Sequence, residues 1–429
     1  MKKKVQVKRA IVLCGGGSLG AYEMGVWRAL KELDIHFDIV TGTSIGALNG
    51  AMMAMNDYEG ALKLWNSISV DNVMQDGINI NADFFKTTFS LRKNSRFRKF
   101  LRQYFHHKGA NIEPFEKLVA SVMDPLKIKC SPIDLGIVTT SWPDLKEVDI
   151  RVKDLDVNEI IPYLHASSAC YPIFPIKKIG KKKFVDGGFR NNLPIDLAVE
   201  MGANEIIAVE LDAIPAAQFS ELEDLPFVTK IVPTWNTGSM MDFRQEKIQR
   251  NMILGYNDAL KAFKKKIGIR YTFNIPNEEQ KKTIRELAKI FFVDLVKRNT
   301  RNFSEIDDIL RFREKGQMSE EDYLIRALES FAEYAHIDYH QIYDIDDFLV
   351  LLERKIDGLK NNLHVMHAVS KVSEGKINKN TSNRALAFYI FNQIRNNKSI
   401  DEFASKYKKD ARICIIISLL LSLKAYKEK

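Results

Sequence analysis

Short apolar runs rich in valine and isoleucine, bounded by glycine, proline or aspartate, recur at residues 9–14, 37–41, 133–140, 147–151 and 205–211. Runs of this length and composition predict strands. Between them apolar positions return at helical spacing, notably at 21–33 and 193–201. Strand and helix alternating in this way predict an α/β sandwich around a mainly parallel sheet. Residues 176–184 read as a hairpin. After residue 242 the pattern becomes helical over 243–264, then gives a last strand over 269–274 that Ile275-Pro276 closes. From residue 278 onward the periodicity is helical, broken by polar connections such as Ser373-Glu374-Gly375-Lys376, with little that reads as strand. The expected division is an α/β domain over 1–276 and a helical domain over 277–429.

The run 413–423 is almost wholly apolar, between Arg412 and Lys424. It is too short to span a bilayer, which takes about 20 residues. Apolar side chains surround it on all faces, so a buried terminal helix is expected in preference to one lying in a membrane interface. The formal net charge of +9 and a pI near 9.1 favour an anionic contact, whether lipid headgroups, nucleic acid or an acidic substrate. Charge alone does not choose among them. Cys14, Cys130, Cys170 and Cys414 are scattered without a C-x-x-C pair, which argues against a zinc knuckle or a disulfide framework and for a reducing, cytoplasmic setting. Met1-Lys2-Lys3-Lys4 is followed by Val5-Gln6-Val7-Lys8-Arg9, so charge interrupts any signal-peptide core. The first apolar stretch is read as a strand.

Three motifs carry candidate chemistry. Gly15-Gly16-Gly17-Ser18-Leu19-Gly20 follows the first strand and opens the helix near Ala21. Consecutive glycines there let backbone N–H groups turn toward an anion, reinforced by the helix N-terminus. The same letters satisfy the dinucleotide fingerprint G-x-G-x-x-G, which needs an acidic residue at the end of the second strand. Asp34 and Asp38 instead precede or open that strand, and Thr41-Gly42-Thr43-Ser44 closes it. The second motif, Gly42-Thr43-Ser44-Ile45-Gly46, stands between strand and helix, the setting in which flanking glycines let a serine take a strained shape and project its Oγ over the sheet edge.

A serine nucleophile needs a base. His336, His340, His364 and His367 all lie in the helical region, at spacings that lack a third metal ligand, and His165 precedes any good acid partner. All five are read as structural. The third motif, Phe184-Val185-Asp186-Gly187-Gly188, presents a carboxylate from a turn where the backbone can pass close to another site. Asp-Gly-Gly taken alone is simply a good turn.

In this order the motifs resemble the patatin-like phospholipase family. The resemblance runs through most of residues 9–276. It rests on Gly15-Gly16-Gly17-x-x-Gly20, Gly42-Thr43-Ser44-Ile45-Gly46, Ala166-Ser167-Ser168-Ala169 followed by Phe174-Pro175, and Asp186-Gly187-Gly188 with Asn192-x-Pro194. It implies a three-layer α/β sandwich and a Ser-Asp dyad, without histidine, that hydrolyses acyl esters of lipids. Carried over, Ser44 is the nucleophile, Asp186 the base, and the N–H groups of Gly15, Gly16 and Gly17 the oxyanion hole. Ala166, Ser167, Ser168 and Ala169 line the acyl channel. One departure is Leu19, where many relatives carry Arg or Lys. Neither metal nor cofactor is required.

Residues 84–108 interleave aromatic and basic side chains. That pattern suits docking on anionic lipid, contact with single-stranded nucleic acid, or a helix packing its aromatics on a core. The reading adopted is a cytoplasmic lipid acyl hydrolase in peripheral contact with anionic membrane, with no nucleic-acid partner. Its rivals are a soluble carboxylesterase or thioesterase on the same dyad, and an inert nucleotide-binding or adaptor protein.

Overall fold

The computed structural model of the chain describes residues 7–75, 110–211, 225–298, 303–312 and 316–428. The basic-aromatic stretch 84–108 lies outside the described residues. The chain divides into two compact units, Met1–Phe263 and Lys264–Lys429.

In the first unit, five parallel strands run in the order β8 (Val228–Ile231), β7 (Glu205–Val209), β1 (Arg9–Leu13), β2 (Ile39–Thr43) and β3 (Asp134–Trp142). Three antiparallel strands complete the sheet: β4 (Glu147–Arg151), β5 (Lys177–Ile179) and β6 (Lys182–Asp186). β1 and β2 are buried almost throughout, which is why they read as unbroken apolar runs instead of alternating ones. β8 was not expected: four residues with a lysine among them, half-buried, give little pattern to read.

Helices cover both faces of the sheet. A side chain at Gly136 would point at Leu197 and Met201, while the neighbouring Leu135 lies against Gly50 of α2 (Ile45–Ala54). Successive strand residues face opposite ways, so the Leu197 segment and α2 lie on opposite sides. This is the expected α/β sandwich, with α1 (Ala21–Glu32) and α2 leading away from the ends of β1 and β2.

The register of β3 places the site. One edge of β3 is taken by β4, which pairs with Gly136 to Thr140. The other edge is shared. β2 occupies it in parallel from Asp134 to Val138, and β6 continues antiparallel from Thr139 to Trp142. β2 running up and β6 running down therefore meet end to end. The residue that follows β2 is Ser44 and the last residue of β6 is Asp186.

In the second unit, helices predominate as expected, but the strand predicted over 269–274 does not join the large sheet. It shortens to β9 (Thr272–Phe273), pairing in parallel with β10 (Ile342–Tyr343), and an isolated bridge joins Ile267 to Phe273. Its apolar content serves this local core: Phe348 packs edge-on against both Tyr271 and Phe273. The terminal apolar run forms a helix over Ala411–Lys427 that packs on Glu278–Arg298, Glu320–Tyr334 and Asn383–Arg395. Ile413, Ile417 and Leu419 are fully buried, so this helix is a core element of its unit, not an interfacial one. Among the described residues no helix is long and apolar enough to cross a membrane.

Candidate active site

Ser44 sits alone between β2 and α2 with φ 56° and ψ −121°, a shape that costs a non-glycine residue on the order of 1–3 kcal/mol. The spacing of its flanking glycines has a direct cause. A Cβ on Gly42 would lie 2.4 Å from the Gly46 carbonyl oxygen, and one on Gly46 would lie 2.5 Å from that of Leu13. Strand and helix pack backbone to backbone here, which drives the serine outward. The Ser44 N–H donates to Ser167 Oγ at 2.8 Å, and Ser167 Oγ in turn donates to the Val138 carbonyl at 2.7 Å. The strained turn is thereby tied to the middle of β3.

The Ser44 hydroxyl donates to Asp186 Oδ2 at 2.7 Å, while Asp186 Oδ1 accepts the Gly188 N–H at 2.8 Å. Asp186 N–H donates to the Ala169 carbonyl at 2.9 Å, fixing the strand end that carries the carboxylate. Burial pushes the Asp186 carboxyl up to about 6, opposed by the hydrogen bonds from Ser44 and Gly188. Desolvation has turned a weak base into a stronger one that is still ionised at neutral pH.

Two of the three loop glycines leave their N–H groups free of acceptors among the described residues. Gly15 does not: its N–H donates to the Asn192 carbonyl at 3.1 Å, and Asn192 Nδ2 donates back to the Gly15 carbonyl at 3.2 Å. Gly15 is therefore a clamp and not a donor into the cleft, a correction to the expected three-glycine hole. Gly17 has φ +56°, and Ser18 N–H donates to the Met240 carbonyl at 2.8 Å, which holds the loop against the 240–243 segment.

Beside Ser44 and Asp186 opens a cavity of about 180 Å³ with an almost wholly apolar lining, including Ile45, Leu48, Phe115, Phe174, Met241 and Phe243. The expected acyl-channel quartet is only partly there. Ser168 lines the cavity, whereas Ala166, Ser167 and Ala169 do not. Ala166 is buried in the core, Ser167 anchors the elbow, and Ala169 holds Asp186 by its carbonyl. Consecutive residues near a helix end cannot all face one cavity. The walls that sequence reasoning missed, Phe115 and residues 240–243, come from segments without a motif. Asn192 carried a signal, its place in Asn192-x-Pro194, but not its role as the clamp on Gly15.

Of the remaining candidates, all but Cys170 fall outside the site. His165 is buried against Phe115, and burial with the nearby Lys177 lowers its pKa to about 4, so it is neutral and structural. Leu19 is buried. Cys170 lines the cavity, but burial and the Asp186 charge push its thiol up to about 12. Asp38 accepts the Arg9 N–H at the opening end of the sheet, far from where a nucleotide ribose would need it. His336, His340, His364 and His367 belong to the second unit. Among the described residues no group of three or more His, Cys, Asp or Glu is arranged to hold a metal.

The anchoring role of Ser167 gives a direct test. Ser167→Ala removes the acceptor of Ser44 N–H and the donor to Val138, at a cost of about 1–3 kcal/mol. A fall in the thermal midpoint together with about a tenfold lower turnover is expected, since a serine released from its turn is positioned less well. Unchanged turnover in a destabilised variant would leave Ser167 a purely structural residue.

Residues 11–199 match the family described as patatin-like phospholipase. Patatin-like phospholipase domain-containing protein 7 of Rattus norvegicus is 28% identical over 205 residues, covering 47% of this chain and 13% of that protein. Lysophospholipase NTE1 of Meyerozyma guilliermondii is 26% identical over 204 residues, covering 48% of this chain and 12% of its own length. The chain thus spans about an eighth of the length of these curated relatives. Among solved structures, VipD from Legionella pneumophila aligns over 98% of this chain and 91% of its own with 13% identity and a TM-score of 0.40. Residues 11–199, which hold both Ser44 and Asp186, are a patatin-like phospholipase domain.

Proposed function

We propose that the first unit hydrolyses acyl esters of lipids through an acyl-Ser44 intermediate, with Asp186 as the base. The observation that carries this reading is the 2.7 Å hydrogen bond from Ser44 Oγ to a desolvated carboxylate at the wall of an apolar cavity. As Asp186 Oδ2 takes the hydroxyl proton, Ser44 Oγ attacks the ester carbonyl carbon. The negative oxygen that forms is held by the N–H groups of Gly16 and Gly17, each worth roughly 3 kcal/mol when well placed. Collapse of this intermediate expels the alcohol, which takes the proton from Asp186. Water then gives a proton to Asp186 as it attacks the acyl carbon, and collapse of the second intermediate breaks the bond to Ser44 Oγ, which takes that proton back from Asp186 as the fatty acid leaves.

An apolar cavity beside the nucleophile suits an acyl chain and leaves the polar part of the substrate outside. The lysophospholipase among the relatives points to the same substrate class. Purified protein assayed on phospholipids, lysophospholipids, glycerides and short p-nitrophenyl esters tests the reading, with Ser44→Ala as the control and fluorophosphonate labelling of Ser44 as the second readout. Turnover confined to short soluble esters would move the function to a soluble esterase, and absent labelling would remove the nucleophile.

The pH profile is a separate expectation. Only ionised Asp186 can accept the proton, so kcat/KM should rise with pH through an acidic limb near 6 and then level. An ordinary carboxylate would put that limb close to 4. A limb at about 4 would mean that the carboxylate is solvated when substrate arrives.

A further inference from the structure

Lys177, Lys178, Lys181, Lys182 and Lys183 fall within seven residues on the β5–β6 hairpin. Lys177 is engaged, its ammonium 2.6 Å from Glu116. The other four are exposed and have no acidic partner within ion-pair distance among the described residues. Lys178 and Lys183 are directly opposite each other, an arrangement that weakens a hairpin. Charge on an edge strand does deter strand-to-strand aggregation. That role does not account for the hairpin's position.

Because β6 takes over the edge of β3 where β2 stops, the hairpin stands on the same side of the sheet as Ser44. Lys182 lies four strand residues before Asp186, so the tip projects about 13 Å beyond the dyad at strand rise. Trp142 is opposite Lys183 on β3, which sets Trp142, Lys183 and Lys178 side by side on one face. The Trp142 ring meets Tyr171 at 5.5 Å, and Tyr171 adjoins the cavity residue Cys170. Phe189, which also lines the cavity, is 47% exposed, and the exposed Arg190 follows it.

Cations projecting from one edge, a tryptophan-tyrosine pair beside them and an exposed phenylalanine at an apolar opening make an amphipathic surface. Lysines meet headgroup phosphates, and aromatic rings settle at the boundary with the acyl region. We infer that the β5–β6 hairpin, with Trp142, Tyr171 and Phe189, is the docking surface by which this unit seats its active-site mouth on an anionic lipid bilayer. The inference rests on the lipid-ester reading above and adds the surface that presents the cavity to its substrate. Single-stranded nucleic acid also takes lysines and aromatics, but it gives no reason for an exposed phenylalanine to stand at an acyl-sized opening.

The test uses the full chain in the Ser44→Ala background, so that binding is read without hydrolysis. Sedimentation with vesicles of phosphatidylserine and phosphatidylcholine is compared with phosphatidylcholine alone, at low and high salt. The parent should favour the anionic vesicles and lose them as salt shortens the Debye length below roughly 10 Å. With Lys178, Lys181, Lys182 and Lys183 all replaced by Gln, partitioning should fall by about 100-fold or more, since each lysine near an anionic surface contributes about fivefold. The corresponding Arg variant should bind as the parent does. With Ser44 restored, the Gln variant should hydrolyse a soluble p-nitrophenyl ester at the parent's rate. Vesicle binding unaltered by the four Gln changes, or lost equally in the Arg variant, would overturn the assignment. So would tighter binding of a single-stranded oligonucleotide that the Gln variant alone loses. Docking without turnover on any ester would instead defeat the hydrolase reading and leave the surface standing.

Discussion

Ser44→Ala and Asp186→Asn are each expected to lower kcat for ester hydrolysis by at least about 1,000-fold, and the double variant to be no worse than the poorer single one. The reason is geometric: in the proposed mechanism Ser44 and Asp186 act through the one hydrogen bond they share, so removing either removes the step both would perform. Stability should move the other way for Asp186. Its folded pKa of about 6 lies above the unfolded value near 3.9, so the carboxyl favours folding only where it is protonated. That contribution is complete below about pH 4 and is lost as pH rises through about 6. Asn carries no charge to desolvate. At pH 7 to 8 Asp186→Asn should therefore be as stable as the parent or more so, by up to about 3 kcal/mol, and the gain should vanish near pH 4. Thermal midpoints across that range, beside turnover, are the measurement. An inactive variant whose midpoint falls at pH 8 would show that the carboxylate is held for its hydrogen bonds to Ser44 and Gly188 more than it is penalised by burial.

How far such a site can be read from sequence depends on which constraints are local. The elbow was legible because Gly42 answers a clash with the Gly46 carbonyl four residues on, and a local clash leaves a fixed spacing. The buried strands were legible because two covered faces demand apolar residues at every position. What was not legible depends on contacts between distant segments. The pairing of Ser44 with Asp186 comes from β2 and β6 sharing one edge of β3; no pattern in either strand states that, and only the family resemblance led to expecting it. The acyl wall assigned to residues 166–169 shrinks to Ser168 for the same reason: Ser167 faces β3 and the elbow. The strand over 269–274 had the right apolar residues for a sheet, but its partner was Ile342–Tyr343, which lies about seventy residues further on.

The glycine loop gives the second large effect, and it separates two glycines that look alike in sequence. A Cβ on Gly17 would fall 2.3 Å from the Met240 carbonyl oxygen, at a φ of +56° that a side chain already disfavours. That oxygen also accepts the Ser18 N–H, so relieving the clash means dragging the loop from its anchor. Gly17→Ala should thus turn the Gly16 and Gly17 N–H groups away from the developing oxyanion. A loss of about 100- to 1,000-fold in kcat is expected, with KM little changed, because the donors act on charge that exists only in the transition state. At Gly15 the added Cβ would instead meet the Asn192 side-chain oxygen at 2.4 Å. Trimming that side chain removes the severe clash and leaves a tight 3.2 Å approach to the Ser44 Cβ, and the Gly15 N–H to Asn192 carbonyl bond does not depend on the side chain. Gly15→Ala combined with Asn192→Ala should therefore retain more turnover than Gly17→Ala combined with Met240→Ala, in which the backbone clash persists. Equal losses in the two pairs would return Gly15 to the oxyanion hole, and full turnover in a folded Gly17→Ala would take the loop out of the mechanism.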